Sequence, residues 1–222
     1  MIWPALKVSL LVVGVATVVT AALGLALAFL LARRDFRGKE LLDAVLTMPL
    51  VLPPTVTGYY LIVLLGRRGL LGAPLYRWTG WTLTFTWQAA VVAATVVALP
   101  LMLKTSRAAI ESVEPKYEQA SYTLGKGELE TFLRVTLPLA RRGVLAGIVL
   151  SAARALGEFG ATLMIAGNIP GRTQTLPLAI FEAVMSGDDR RARLLALILT
   201  LVSVTAVYLT NRLSRAAGAR AA

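Results

Sequence analysis

The stretch TLGKGELETFLRVTLPLARR, residues 123–142, lies between two long apolar runs, and its reading decides how the rest of the chain is organised. It carries Gly125, charges spaced through an amphipathic segment, a Leu137-Pro138 break, and then Arg141 and Arg142. A connection between two apolar helices needs only to be short and wet; this one has the makings of an element. Upstream, Glu114-Pro115 suits a helix start, with an acidic residue at the cap and proline at the first position. Tyr117, Ala120, Ser121 and Leu124 then recur at three or four residues on one helix face. Gly125 is a natural stop, because a left-handed backbone costs glycine little. A second helix is expected from about Gly127, with Glu128 and Glu130 near its positive end. Leu129, Phe132 and Val135 form its apolar face, and Pro138 limits it. Two short helices meeting at a glycine predict a compact knob, which either rests on lipid headgroups or docks on a protein.

The surrounding composition makes lipid the solvent of most of the chain. Hydrophobic residues are 57% of the 222 and charged residues only 16%, with a mean hydropathy of +0.71. The net charge of +11 would suit nucleic acid if it were gathered on one soluble face. Instead the cations flank apolar runs, where they anchor helix ends at anionic headgroups, so no nucleic-acid partner is expected. The absence of cysteine excludes disulfides, thiolate chemistry and iron–sulfur ligation. The absence of histidine excludes histidine-ligated zinc and histidine-based triads. No metal site is expected.

A spanning helix takes about 20 mostly apolar residues, and five runs qualify or nearly so: 9–31, 42–65, 87–102, 143–165 and 192–208. The first follows MIWPALK and runs too long for a signal-peptide core, which predicts a retained span. The second is interrupted at Pro49 and Pro53-Pro54, so it is expected to bend and to pack on protein or line a cavity. In the 66–85 connection Tyr76, Trp78 and Trp81 fit an interfacial belt. In 166–190, Asn168, Pro170 and Gly171 favour a turn, and Leu176 to Met185 a short interfacial helix. With an outside N-terminus, fourteen Lys and Arg flank the spans inside and eight outside. The positive-inside rule therefore predicts N-out, C-in, with the 104–142 segment cytoplasmic.

The same polar segment carries a signature. Glu-Ala-Ala, three residues, Gly, nine residues, Ile, one residue and Leu-Pro are matched by Gln119-Ala120-Ser121, Gly125, Val135, Leu137 and Pro138. The spacing is kept throughout, with Gln119 at the first acidic position and Glu118 beside it. The stretch resembles the cytoplasmic coupling loop of permease subunits from bacterial ABC importers. MPLVLPPTVTGYY at 48–60 and SAARALGEFGATLMIAGNIPGRTQTLPLAIF at 151–181 extend the resemblance over nearly the whole chain, towards molybdate permease subunits of the ModB type. Sulfate, thiosulfate and tungstate permeases are the neighbouring alternatives. Some members have an additional N-terminal span; this chain matches the shared five-helix core.

The resemblance implies an all-α integral membrane protein, one permease domain over residues 1–222, in the bacterial inner (plasma) membrane. It further implies a homodimer, two cytoplasmic ATPase subunits that receive the two knobs, an extracytoplasmic oxyanion-binding protein, and molybdate as the transported substrate. The chain has no GxxxxGK[ST] sequence, and Gly125-Lys126-Gly127 is no phosphate loop. No catalytic residue and no cofactor is expected on it; ATP and Mg2+ belong to the partner ATPase. Pro49, Pro53, Pro54 and Gly58 would shape a broken helix at the translocation path, where Thr55 and Thr57 could expose hydroxyls.

In the fourth run, Arg154 and Glu158 stand four residues apart on one helix face and can pair. Arg154 lies eleven residues beyond Gly143, about 16 Å along a helix, near mid-depth. A lipid-facing charge there is expensive, so the pair is expected inside the bundle as a structural or gating element, or as a direct anion contact. Gly143, Gly147, Ser151 and Ala155 follow at steps of four and predict close helix packing. Two other classes compete: an ion-gradient transporter, for which the sequence shows no inverted repeat or defined ion site, and a membrane scaffold. Dependence on ATP separates all three.

Overall fold

The computed structural model describes residues 2–219, and every regular element among them is helical. Helix α1 (Ile2–Arg33) presents a single stripe to the bundle, from Ala5 through Val12, Ala16, Thr20 and Gly24 to Leu31. Its 32 residues extend about 48 Å, more than the hydrocarbon thickness, so both ends of α1 reach polar territory. After a short turn come α2 (Lys39–Thr47), a 3-10 turn at Met48–Leu50, and α3 (Pro54–Leu65). Helix α4 (Gly72–Thr79) lies in the following connection, which the sequence had suggested only as an aromatic belt.

Helix α5 (Trp87–Glu111) is the centre of the molecule. Thr86 caps it by accepting from the Ala89 N–H at 3.2 Å. Small side chains at Ala89, Ala90, Ala93, Ala94 and Ala98 are fully covered, so neighbours approach it on all sides. The expected span 87–102 is therefore too short. Pro100 sits inside the helix without ending it, and the first part of the 104–142 polar segment is the C-terminal end of α5. Packing against α1 and α8 holds the backbone there where an isolated helix would break.

The remaining elements are α6 (Pro115–Thr123), α7 (Glu128–Thr131), a π-helical stretch at Phe132–Thr136, α8 (Leu137–Leu156), α9 (Gly160–Ala166), α10 (Leu176–Met185) and α11 (Asp189–Ala219). Among the described residues four helices, Ile2–Arg33, Trp87–Glu111, Glu128–Leu156 and Asp189–Tyr208, are long and apolar enough to cross a membrane. The pair Lys39–Leu50 and Pro54–Leu65, bent by 118°, makes a fifth crossing if taken as one span.

Two expected spans are thus broken. At 48–54 the cause is proline: Pro53 and Pro54 lack N–H donors, and a residue before proline is driven extended, as Pro53 is (φ −53°, ψ 136°). The run 143–165, continuous by apolar length, is not one helix. Its helix begins earlier, at Glu128, stops at Leu156, and resumes only at Gly160. Small residues join α8 to α5 as expected: a β-carbon on Gly143 would overlap that of Ala109, and one on Gly147 would lie 3.1 Å from Met102 Sδ.

Contacts sort the connections to two ends. Phe85 donates to the Ile165 carbonyl (3.0 Å) and Leu176 to Ser9 Oγ (2.7 Å), bringing the 66–86 and 167–176 connections to the end where α1 begins. Arg33 meets Ile110 and Glu118 at the other end, beside 34–39 and the knob. Residues 1 and 220–222, the chain ends to which the N-out, C-in expectation refers, lie outside the described residues.

Candidate functional site

The knob forms as the glycine predicts. Proline at its first position starts α6, and Leu124 ends it. Gly125 then turns left-handed (φ +77°). The Lys126 N–H donates to Ser121 O at 3.2 Å and the Gly125 N–H to Tyr122 O at 2.9 Å, the paired bonds of a Schellman closure. Gly127 returns to an extended conformation and leads into α7. Lys126 bridges the turn to Glu130 at 2.9 Å.

The knob is stitched on its inner side by polar atoms. Glu118 is buried, and its Oε1 accepts from Arg33 Nε (3.1 Å) and from Thr136 Oγ1 (2.6 Å). Arg33 Nη2 lies 2.9 Å from the same oxygen and donates to the Ile110 carbonyl at 2.9 Å. Ser121 and Thr131 share a buried hydroxyl–hydroxyl bond of 2.8 Å, and Phe132 stacks on Phe29 with ring centroids 4.3 Å apart. Arg34 pairs with Glu128 at the edge.

The outer side carries the apolar groups. Of Tyr117, Ala120, Ser121 and Leu124 on one face of α6, only Ser121 is buried; the other three are exposed, together with Tyr122. Leu129 (70% exposed) and Leu133 also face out, whereas Phe132 turns inward and Val135 and Leu137 are half-buried. Gln119, at the signature's acidic position, is exposed, and Glu118 is the carboxylate that faces in. Periodicity locates the faces, and the tertiary structure shows which one turns in: its buried partners include an arginine and two threonines beside Phe132.

Pro138 does not limit the second helix, as the sequence had suggested. It occupies the second position of α8, where a missing N–H is tolerated in a new helix. The π-helical turn at Phe132–Thr136 absorbs the change in register, so α7 runs on into α8 as one rod through Leu156. The knob is therefore the direct extension of a membrane-crossing helix.

Two regions distant in sequence meet deeper in the bundle. A β-carbon on Gly58 would lie 2.8 Å from Ala161 Cα, and one on Gly160 would lie 3.0 Å from Pro54 Cβ and 3.2 Å from the Thr55 nitrogen. The break at Pro53-Pro54 and the break at 157–159 are thus packed together, α3 against α9. Pro49 sits in the 3-10 turn, Pro53 and Thr55 are exposed, and Thr57 is buried with a hydroxyl that meets no partner among the described residues. The signal for this meeting in the sequence is weak: a small residue, Gly58 or Gly160, in the second half of each broken run.

Arg154 and Glu158 do pair, but not as two positions on one helix. Arg154 lies in the last turn of α8, and Glu158 follows the helix end. Arg154 Nη1 is 2.9 Å from Glu158 Oε2, an ion contact. Glu158 Oε1 accepts from the Ala161 N–H at 2.8 Å, so the same carboxylate satisfies an otherwise free donor in the first turn of α9. Glu158 is buried; the Arg154 side chain is 29% exposed.

Comparison with known proteins agrees with this architecture. The chain is 45% identical over 217 residues to the molybdenum transport system permease protein ModB of Escherichia coli strain K12, covering 96% of this chain and 95% of that one. It is 44% identical over 201 residues to the ModB protein of Haemophilus influenzae, 88% of each chain. The sulfate transport system permease protein CysT of Salmonella typhimurium is more distant, at 35% over 97% of this chain and 78% of its own. Among solved structures, the MetNI methionine ABC transporter in an inward-facing conformation matches with a TM-score of 0.76 at 17% identity, over 98% of this chain and 97% of that one. A bacterial alginate ABC transporter, in complex with its alginate pentasaccharide-bound periplasmic protein, matches with a TM-score of 0.77 at 15% identity, over 96% and 77%. These two establish the fold, that of ABC importer permeases. The family model for the binding-protein-dependent transport system inner membrane component matches residues 22–221, and the chain belongs to that family.

Proposed function

We propose that this chain is the transmembrane permease subunit of an ATP-driven molybdate importer. The observation that carries the coupling role is the knob: an exposed apolar surface around Tyr117, Leu124 and Leu129, continuous with a spanning helix through the π-helical turn. The substrate assignment rests on relatives, since identity to molybdenum permeases (45%) exceeds identity to a sulfate permease (35%) over similar shares of this chain.

In this reading two copies enclose one path and present two knobs to two cytoplasmic ATPase subunits, which hold ATP and Mg2+. Glu118, Gln119, Ala120, Ser121, Gly125, Val135, Leu137 and Pro138 make up the coupling element, with the exposed members touching the ATPase. ATP binding draws the knobs together and favours an outward-facing path; hydrolysis and release restore the inward-facing one. An extracytoplasmic oxyanion-binding protein delivers the anion to the end formed by the 66–86 and 167–188 connections. The N-terminus is outside and the C-terminus cytoplasmic. Pro49, Pro53, Pro54, Thr55, Thr57 and Gly58 shape the path, and Arg154 with Glu158 acts as a structural or gating pair beside it.

The test is molybdate uptake into proteoliposomes holding the full complex, with ATP supplied or withheld. Uptake that requires both ATP and the binding protein supports the reading. Uptake driven by an ion gradient alone, or no uptake by a correctly assembled complex, overturns it. Competition by tungstate and sulfate defines the anion class.

A further inference from the structure

We infer that Glu118 is a positioning residue of the transport cycle: pinned by Arg33 and Thr136, it fastens the knob to α1, α5 and α8 so that displacement of the knob moves those helices. The inference rests on the importer reading above, and concerns the inner side of the knob rather than the surface offered to an ATPase.

The geometry brings two residues, Arg33 and Thr136, to one carboxylate oxygen, and Arg33 carries the link on to α5. Arg33, the last residue of α1, reaches Glu118 Oε1 with Nε at 3.1 Å and Nη2 at 2.9 Å. The same Nη2 donates to the carbonyl of Ile110 near the end of α5, and Thr136 at the end of the π-helical turn adds its hydroxyl at 2.6 Å. The Glu118 side chain is 11% exposed and that of Arg33 20%, so water competes weakly for either charge. Among the described residues, the other side-chain hydrogen bond from α6 to a neighbouring element is the Ser121–Thr131 hydroxyl pair, and the apolar side chains of α6 face outward. A short helix with so little buried apolar surface depends on this junction for its position. Removing one member leaves the other charge buried and unpaired, which the structure relieves by letting the knob shift.

Because the chain has no cysteine, spin labels can be placed at Leu124→Cys on the knob and Arg68→Cys at the opposite end of the bundle. Their distance distribution is measured on the permease alone in lipid nanodiscs, for wild type, Glu118→Gln, Arg33→Gln and the near-isosteric Thr136→Val, which replaces the hydroxyl with a methyl group. In unlabelled full complexes, molybdate imported per ATP hydrolysed is measured for the same variants. That ratio is insensitive to simple loss of folded protein, since inactive copies drop out of both terms. We expect broadened distances and a ratio lowered about tenfold in Glu118→Gln and Arg33→Gln, with a smaller change of the same sign in Thr136→Val. Unchanged distances, or an unchanged ratio, in variants that assemble overturns the inference; should a charge variant fail to insert, Thr136→Val decides by the same two readings. Failure of wild type to import with ATP would count against the importer reading, while the distance measurement would still judge the anchor.

Discussion

Arg154 and Glu158 form a 2.9 Å ion pair across the end of α8, and the glutamate's other oxygen accepts from the first turn of α9. The carboxylate therefore stitches the two halves of a broken span. Arg154→Ala leaves that buried carboxylate without its cation, and should destabilise the protein by about 3 kcal/mol. Arg68→Ala, at an exposed site of the opposite character, should change little. Adding Glu158→Gln to Arg154→Ala should recover part of the loss, because the abandoned charge disappears while a side-chain oxygen still reaches Ala161. Thermal unfolding in detergent reads the stability, and ATP-dependent uptake reads the function. A fully stable, active Arg154→Ala protein would exclude the interior role.

Where α3 crosses α9, the obstacle at Gly58 is backbone. A valine there meets Ala161 Cα and Met164 Cβ within 3 Å, and neither can rotate aside. Gly58→Val should lower stability by about 1–3 kcal/mol through overpacking, and should reduce uptake more than ATPase attachment, since the knob is far from it. Co-purification of the ATPase beside uptake measures both effects.

Gly125 has open space around it, so only its positive φ resists substitution. Gly125→Val should strain the turn by about 1–2 kcal/mol and weaken ATPase attachment or its stimulation by the binding protein. Gly125→Asn, which tolerates the left-handed region, should retain most activity. Equal behaviour of the two variants would mean that the backbone conformation is not what matters.

Ser112 at the end of α5 and Ser186 at the end of α10 are both exposed, at opposite ends of the bundle. Single cysteines at these positions should react from opposite faces of sealed, oriented vesicles, that at 112 from the cytoplasmic side. Labelling of both from one side rejects the proposed orientation.

By itself the sequence determined the all-helical membrane class, the glycine turn of the knob, the α10 helix at 176–185, and the break at Pro53-Pro54. Each depends on local chemistry: apolar length, a left-handed glycine, prolines without donors. The coupling signature was legible too, because its spacing survives intact from Gln119 to Pro138. Only the tertiary structure decided which way the knob faces, since Arg33 and Glu118 are 85 residues apart and no local period connects them. It also decided that Pro138 lets a helix pass, that the fourth run breaks beside Glu158, and that this break packs on the one at Pro54. Those outcomes depend on which groups a buried carboxylate or a glycine finds opposite it, and that is settled by packing across the bundle, not by the neighbours in the chain.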